Sequence, residues 1–344
     1  MKSTKITYEL VVDSSLHIGS GEQLNRLDSF KENQTIYILD ENKVLKLLKD
    51  KNLVDAFAKY VSFESKNADI GLFMKEKRIV KELKEKCVKS QFVHNDSPKN
   101  INLCVKDIYG KPYIPGSTIK GVVVSSLIDY RLAKMEGYSK NLTKKDDLFQ
   151  LVFGEDFKRV LSNISVSDST SVDMNNVEIV KKMGVNSITS KPEGTGGNGL
   201  NIYRECLKKD SKVEFTINLI GDDFSKEEIE KAIKYRTYKI IGSKGVIGMP
   251  YVNLKRLIPI EIKRAEIPLI LGGGAGFHSK VNLMGIHKDV LVANGKAKSF
   301  LDRKFSRYKA KSHEVTSPRI IKLNTKGMIM GACHLNEVYV KELV

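Results

Sequence analysis

No two cysteines in this chain are spaced as CxxC. Cys87, Cys104, Cys206 and Cys333 lie scattered over 344 residues, which supplies neither a disulfide framework nor a zinc ligand set, and they read as reduced structural thiols. The patterns HExxH, GxSxG and Walker A are also missing: His94, His278, His287, His313 and His334 show no metal-ligand spacing, and no glycine loop is followed by a phosphate-loop lysine. These absences leave little room for a self-contained enzyme, and no cofactor is expected. No stretch reaches about 18 apolar residues, the length of a membrane span. The opening MKSTKITYELVVDSS has no apolar core of the signal-peptide kind. A cytoplasmic chain with no membrane partner is expected, and neither an internal repeat nor a low-complexity tract is found.

What the chain has in excess is positive charge. Lys and Arg number 58 against 41 Asp and Glu, a formal charge of +17, and such a balance asks for a polyanionic partner, nucleic acid first. The plainer reading is charge that only keeps the protein in solution, or that meets acidic membranes. With 41% hydrophobic residues the length suffices for one large elaborated domain or two ordinary ones.

Alternation at Ile6, Tyr8, Leu10 and Val12 predicts a half-buried strand that stops at the glycines of LHIGSGE. TIYIL predicts a second. Val44, Leu47 and Leu48 then open a Lys-rich helical region, with breaks, to about Lys89. INLCVKDIYG resumes the apolar pattern, and Ile119, Val123, Leu127 and Tyr130 recur at helical spacing. ISVSDS and VEFTINL read as strands. The glycine cluster GTGGNG lies in a long hairpin or loop, and Ser225 with Glu228 caps a helix over KEEIEKAIKYRTYKII. This order fits an α+β sheet layered with helices better than a doubly wound parallel sheet.

Three stretches could carry chemistry. In IPGSTIKG, Pro115 and Gly116 turn the chain and Ser117 can cap the helix, so that free N–H groups and Lys120 would face a phosphate; an ordinary capped helix is the bland alternative. In LILGGGAGFHSK, Gly272, Gly273, Gly274 and Gly276 let backbone approach a ligand, and Phe277, His278 and Lys280 add stacking and charge; the spacing is wrong for a dinucleotide fingerprint. In AKSFLDRKFSRYKAKSHEV, Lys298, Arg303, Lys304, Arg307, Lys309 and Lys311 interleave with Phe300, Phe305 and Tyr308, a mixture suited to single-stranded nucleic acid or to a solvated helical face. For acid–base or metal work, His17 with Asp28 is the one close pairing.

Taken in order, LHIGSGE, PYIPGSTIKG, ISVSDS, YREC with VEFTINL, and LGGGAGF resemble the RAMP superfamily of CRISPR-associated proteins. Within it the chain looks most like the family that caps the backbone filament of type III-A Csm effectors, over nearly its whole length. YREC paired with LGGGAGF and the closing TKGMIMGACHL favour that family over the repeating backbone subunits. The resemblance implies an RRM-like, ferredoxin-like core with helical insertions and a β-hairpin thumb, in one elaborated module. Residues 1–40 and 100–170 would form the core with the first RNA-binding loops, 41–99 a helical insertion, 171–207 the thumb, 208–265 the rest of the core, and 266–344 a Gly-rich loop and basic segment.

It further implies that Gly116, Ser117, Lys120, Gly272, Gly273, Gly274 and Lys280 contact RNA phosphate and sugar, with His17 and Gly19 beside them and Phe277 in the same loop. Lys191, Tyr203 and Arg204 would belong to the thumb. Implied partners are crRNA, target RNA, other Csm subunits and host ribonucleases that mature the crRNA 3′ end. Asp28 falls about where the repeating backbone subunits carry a cutting aspartate, but one carboxylate holds a divalent ion weakly, and the capping family is regarded as non-catalytic. The rival readings are a metal-dependent endoribonuclease using Asp28 and a protein-contact scaffold with little RNA affinity.

Overall fold

The alternating segment near the N-terminus becomes the strand Ser3–Val12, which sits at the centre of a five-stranded antiparallel sheet. On one side it pairs with Lys212–Ile220 and then Ile164–Val166. On the other it pairs with Ala332–Leu343 and then Ile267–Ile270. Ile6, Tyr8, Leu10 and Val12 face the core together with Val213, Phe215, Ile217 and Leu219 of the partner strand, so a one-residue slip in register would turn both apolar sets out at once. The helices Gly116–Lys134 and Lys226–Ile241 cover this face. Along the chain this is β-α-β-β-α-β with an added strand, the split βαβ arrangement of a ferredoxin-like core. The computed structural model describes residues 2–92, 98–136, 145–186, 192–193, 202–242, 257–287, 289–304 and 320–343.

A second sheet of seven strands runs Gly19–Leu24, Ile101–Cys104, Tyr203–Leu207, Val177–Lys181, Cys87–Phe92, Thr35–Leu39, Ser29–Glu32 in spatial order. Helices Glu41–Asp50, Val54–Glu64, Ile70–Glu76 and Val80–Lys84 pack at its far end around Phe30, Leu47, Phe73 and Met74. The helical run therefore stops earlier than about Lys89: Cys87–Phe92 pairs antiparallel with Thr35–Leu39. The base of the expected hairpin is Val177–Lys181 against Tyr203–Leu207. It is fastened into the larger sheet on both sides, to Cys87–Phe92 and to Ile101–Cys104, by short parallel pairings. Beyond it, Met183–Asn186 pairs with Pro192–Glu193 and with Ile320–Leu323. The Ser225 cap forms as the sequence predicts, its hydroxyl accepting the Glu228 N–H at 3.1 Å. Among the described residues no helix is long and apolar enough to cross a membrane.

Candidate RNA-binding site

The two glycine loops meet. Gly273 N–H donates to the His17 carbonyl at 2.7 Å, bridging the segment after Ile267–Ile270 to the turn after Ser3–Val12. Gly272 has φ +81°, and a Cβ there would lie 2.6 Å from the same carbonyl oxygen; Gly274 has φ +90°, and its Cβ would come within 2.8 Å of Arg204 Nη1. Positive φ and close approach together require glycine at both positions. Gly19 is exposed at the start of an edge strand, where a Cβ would press on His17 Nε2 at 3.0 Å. His17 itself is buried. Its Nδ1 lies 2.7 Å from the Glu205 carbonyl, which can only accept, so the proton sits on Nδ1. Burial holds the imidazole below its ordinary pKa, opposed by that hydrogen bond, so the ring is neutral near pH 7 and acts as a strut under the loop.

Arg204 projects over these glycines. Its Nε and Nη1 are buried and meet no acceptor among the described residues. The neighbouring carboxylate does not answer it, because successive side chains of a strand leave opposite faces: Glu205, fully buried, is taken by Lys106 Nζ at 2.9 Å and by the Cys104 N–H at 3.1 Å. Burial depresses the Arg204 pKa. Lys182 close by is pushed down to about 8, by burial first and then by the like charges of Arg204 and Lys322. A buried guanidinium with donors unmet among the described residues, beside like charges and on a glycine loop, has the chemistry to hold an anion.

The loop then leads into a groove of about 700 Å³. Ser117, Gly121, Val124 and Ile128 form one stripe of the helix Gly116–Lys134 and face Phe277, Lys280 and Phe300 across it. Ser117 and Lys280 are exposed there, and the Phe277 and Phe300 rings lie 5.9 Å apart. Seven of the sequence-derived residues are thus joined along one path: His17, Arg204 and Gly272 to Gly274 at one end, Phe277 and Lys280 at the other.

Three expectations for IPGSTIKG need correction. The helix start offers no free Gly116 N–H to a phosphate, because Asp168 Oδ1 already accepts it at 2.8 Å, and a carboxylate there complements the helix dipole. Gly116 is needed for packing, since a Cβ would lie 2.2 Å from the Val166 carbonyl oxygen. Ser117 is not the cap: Pro115 precedes the first turn, with no side-chain cap bond. Lys120 does not reach out, for its ammonium donates to the Leu161 and Ile164 carbonyls at 2.9 and 2.6 Å. We therefore expect Lys120→Ala to lower unfolding free energy by about 1.5–3 kcal/mol, the worth of charge-assisted hydrogen bonds, while leaving the salt dependence of RNA binding unchanged; urea unfolding and binding isotherms check both.

Tyr203 is fully buried and packs edge-on to Phe92 at 5.7 Å. It builds the sheet, as the inward member of an alternating strand whose outward member is Arg204. Asp28 Oδ2 accepts the Asn25 N–H at 2.8 Å and closes a turn. Lys191, and with it Phe305, Arg307, Tyr308, Lys309 and Lys311, lies outside the described residues; of the basic segment inside them, Lys298 is paired to Asp302 at 3.0 Å. Sequence reasoning missed Lys182, Asp129, Arg236 and Asn282. Arg236 pairs with Asp129 in the interior and donates to the Ser279 and Val281 carbonyls at 3.1 and 3.2 Å, while Asn282 binds Asp129 Oδ1 at 2.9 Å. That cluster clamps the loop onto the helix. No local pattern marks it, since its members are far apart in sequence.

A sequence model described as "RAMPs: RAMP superfamily" matches residues 9–252. The chain is 25% identical over 354 residues to CRISPR system Cms protein Csm5 of Enterococcus italicus, covering 93% of this chain and 91% of that protein. To the protein of the same name from Streptococcus thermophilus it is 24% identical over 344 residues, covering 90% and 87%. Among solved structures it is similar to a chain of the cryo-EM structure of a Csm-crRNA-target RNA ternary complex in a type III-A CRISPR-Cas system, with TM-score 0.66 and 15% identity over 97% of this chain and 100% of that one. It is also similar to crystalline T. onnurineus Csm5, with TM-score 0.58 and 15% identity over 95% and 99%. At such identities the structural likeness speaks for the fold.

Proposed function

The chain belongs to the RAMP superfamily, and we propose that within it the protein is the RNA-binding subunit that caps the backbone filament of a cytoplasmic type III-A Csm effector. It holds the 3′ portion of the crRNA, sets how much guide is covered, and leaves the remaining end to host ribonucleases. Its partners are crRNA, target RNA and the neighbouring Csm subunits, with the segment that rises from the paired strands Val177–Lys181 and Tyr203–Leu207 acting as the thumb; the glycine cluster GTGGNG lies outside the described residues. The observation that carries this reading is Arg204, whose buried donors aim at the glycine loop and meet no acceptor among the described residues. Recognition is backbone-directed, because guanidinium, ammonium and backbone N–H groups answer phosphate rather than base edges. The reading includes no chemistry on the RNA: the Asp28 carboxylate accepts the Asn25 N–H within its own turn, and one carboxylate holds a divalent ion weakly.

The test is equilibrium binding of the whole chain to single-stranded guide-like RNA at several salt concentrations and pH values. Binding should weaken linearly in log salt, with a slope of about 0.7 per neutralised phosphate. It should also weaken as pH rises through about 8, because Lys182 there passes from ammonium to amine. A nearby phosphate favours the ammonium, so complex formation takes up a proton in that window. Folding has the opposite sign: a lysine pKa lowered in the folded state makes the free protein gain stability between about 8 and its unfolded value. Lys182→Met should flatten both profiles. RNA incubated with Mg²⁺ should stay intact; cleavage removed by Asp28→Ala would establish the nuclease reading instead, and salt-independent, negligible binding would establish the scaffold.

A further inference from the structure

The helix Lys226–Ile241 buries Ile229, Ala232, Ile233, Arg236 and Ile240 against the core. Its opposite stripe, at i, i+3, i+4 and i+7, is Lys231, Lys234, Tyr235 and Tyr238. This stripe forms one wall of a groove of about 810 Å³, closed by Tyr130 of the neighbouring helix and by Lys263 of the short helix Ile260–Arg264, with Ile241 and Ile258 also lining it. Tyr130 and Tyr235 meet edge to face at 5.9 Å, and Lys239 lies over the Tyr235 ring at 5.4 Å. The described lining carries no carboxylate. The stripe is separate from the glycine-loop groove: on the helix Gly116–Lys134, Tyr130 points away from the stripe of Ser117, Gly121, Val124 and Ile128 that faces the loop.

We propose that this groove is a second binding track for single-stranded RNA. The proposal rests on the reading of the chain as an RNA binder but places RNA on a face of the molecule that reading does not use. Lysines alone would suit any solvated helical face, and the C-terminal half of a helix favours cations in any case. Three tyrosines gathered among them have no such excuse. Single-stranded RNA joins a continuous anionic backbone to bases with flat apolar faces, and a groove that alternates ammonium groups with aromatic rings answers both at once, without sequence preference. An acidic peptide would satisfy the lysines and leave the ring faces unused. RNA leaving the Arg204 site would then have a second purchase around the helical layer.

The experiment uses the full chain and an oligouridine containing 4-thiouridine, in wild type, Arg204→Ala, Tyr238→Ala, Lys231→Glu/Lys234→Glu and the combinations with Arg204→Ala. Tyr238, Lys231 and Lys234 are exposed, so these variants should fold. Photo-crosslinks are expected at Tyr235 or Tyr238, persisting in Arg204→Ala. In that background Tyr238→Ala should lower affinity about 5- to 150-fold, the range for loss of one base–ring stack, and the double lysine variant should reduce the salt slope by about 1.4. Crosslinks confined to the glycine loop, with no effect of Tyr238→Ala, would overturn the second track while leaving the proposed function standing. A loss in the lysine variant that Tyr238→Ala does not share, matched by equal competition from polyglutamate, would also overturn it in favour of an acidic protein partner. Binding that survives Arg204→Ala but disappears with the groove variants would support the track and remove the glycine-loop site.

Discussion

Arg236→Ala is expected to cost the folded state about 3–5 kcal/mol, the range for removing one partner of a buried ion pair. Against a typical stability of about 5–15 kcal/mol, that brings the chain near its unfolding threshold. Arg236 and Asp129 are both almost fully buried. Truncating the arginine strands the Asp129 carboxylate with Asn282 as its remaining side-chain partner and frees the Ser279 and Val281 carbonyls. The clamp also fixes Gly285, where a Cβ would lie 2.5 Å from Asp129 Oδ1. Asp129→Asn with Arg236→Met should recover part of the loss, since replacing both partners leaves no buried charge unpaired. Urea unfolding monitored by circular dichroism reads both variants; a change below about 1 kcal/mol for Arg236→Ala would mean that the pair is not desolvated.

The ferredoxin-like core was legible because period and burial agree there. Ile6 to Val12 alternates and is half wrapped by helices, and Ile119, Val123 and Leu127 recur at helical spacing and are all buried. The last strand was not legible as a strand. Beyond Leu335, Asn336 to Tyr339 are exposed and Val338 and Tyr339 face water, so hydropathy gives no alternation, and what holds Ala332–Leu343 is backbone pairing to both neighbours. The seven-stranded sheet was hidden for a related reason: its members come from five separate parts of the chain and include two short parallel pairings that no turn signal announces.

The candidate site divides along the same line. Glycines announce themselves, so the meeting of His17 with Gly272 and Gly273 could be anticipated as two loops, though not as one contact. Lysines do not announce their partners. Lys120 looked like a phosphate ligand because it follows a turn, but its reach is set by the carbonyls at the end of Phe157–Ser162, some forty residues away. Asp168, more than fifty residues on, likewise occupies the helix start at Gly116. Tyr203 and Arg204 stand side by side in YREC, yet a strand sends neighbours to opposite faces, and only the arginine meets the loop.

That arginine sets the sharpest expectation for binding. Arg204→Ala should weaken affinity for single-stranded RNA about 10- to 150-fold, the equivalent of losing charge-assisted hydrogen bonds of about 1.5–3 kcal/mol. The magnitude of the salt slope should fall by about 0.7 for each phosphate no longer neutralised. Arg204→Lys should fall between, keeping the charge but not the planar fork that meets two phosphate oxygens. Arg204→Ala should not destabilise the free protein. Nε and Nη1 are buried with no acceptor among the described residues, and Lys182 is held down partly by the neighbouring guanidinium, so deleting Arg204 relieves desolvation and like-charge repulsion together. Lys182 should accordingly titrate higher in Arg204→Ala than in wild type, measurable by NMR of a labelled lysine. Loss of RNA affinity with stability kept or raised is the signature of a side chain held for a ligand; loss of stability with affinity unchanged would make Arg204 a structural residue and leave the glycine loop without its anion.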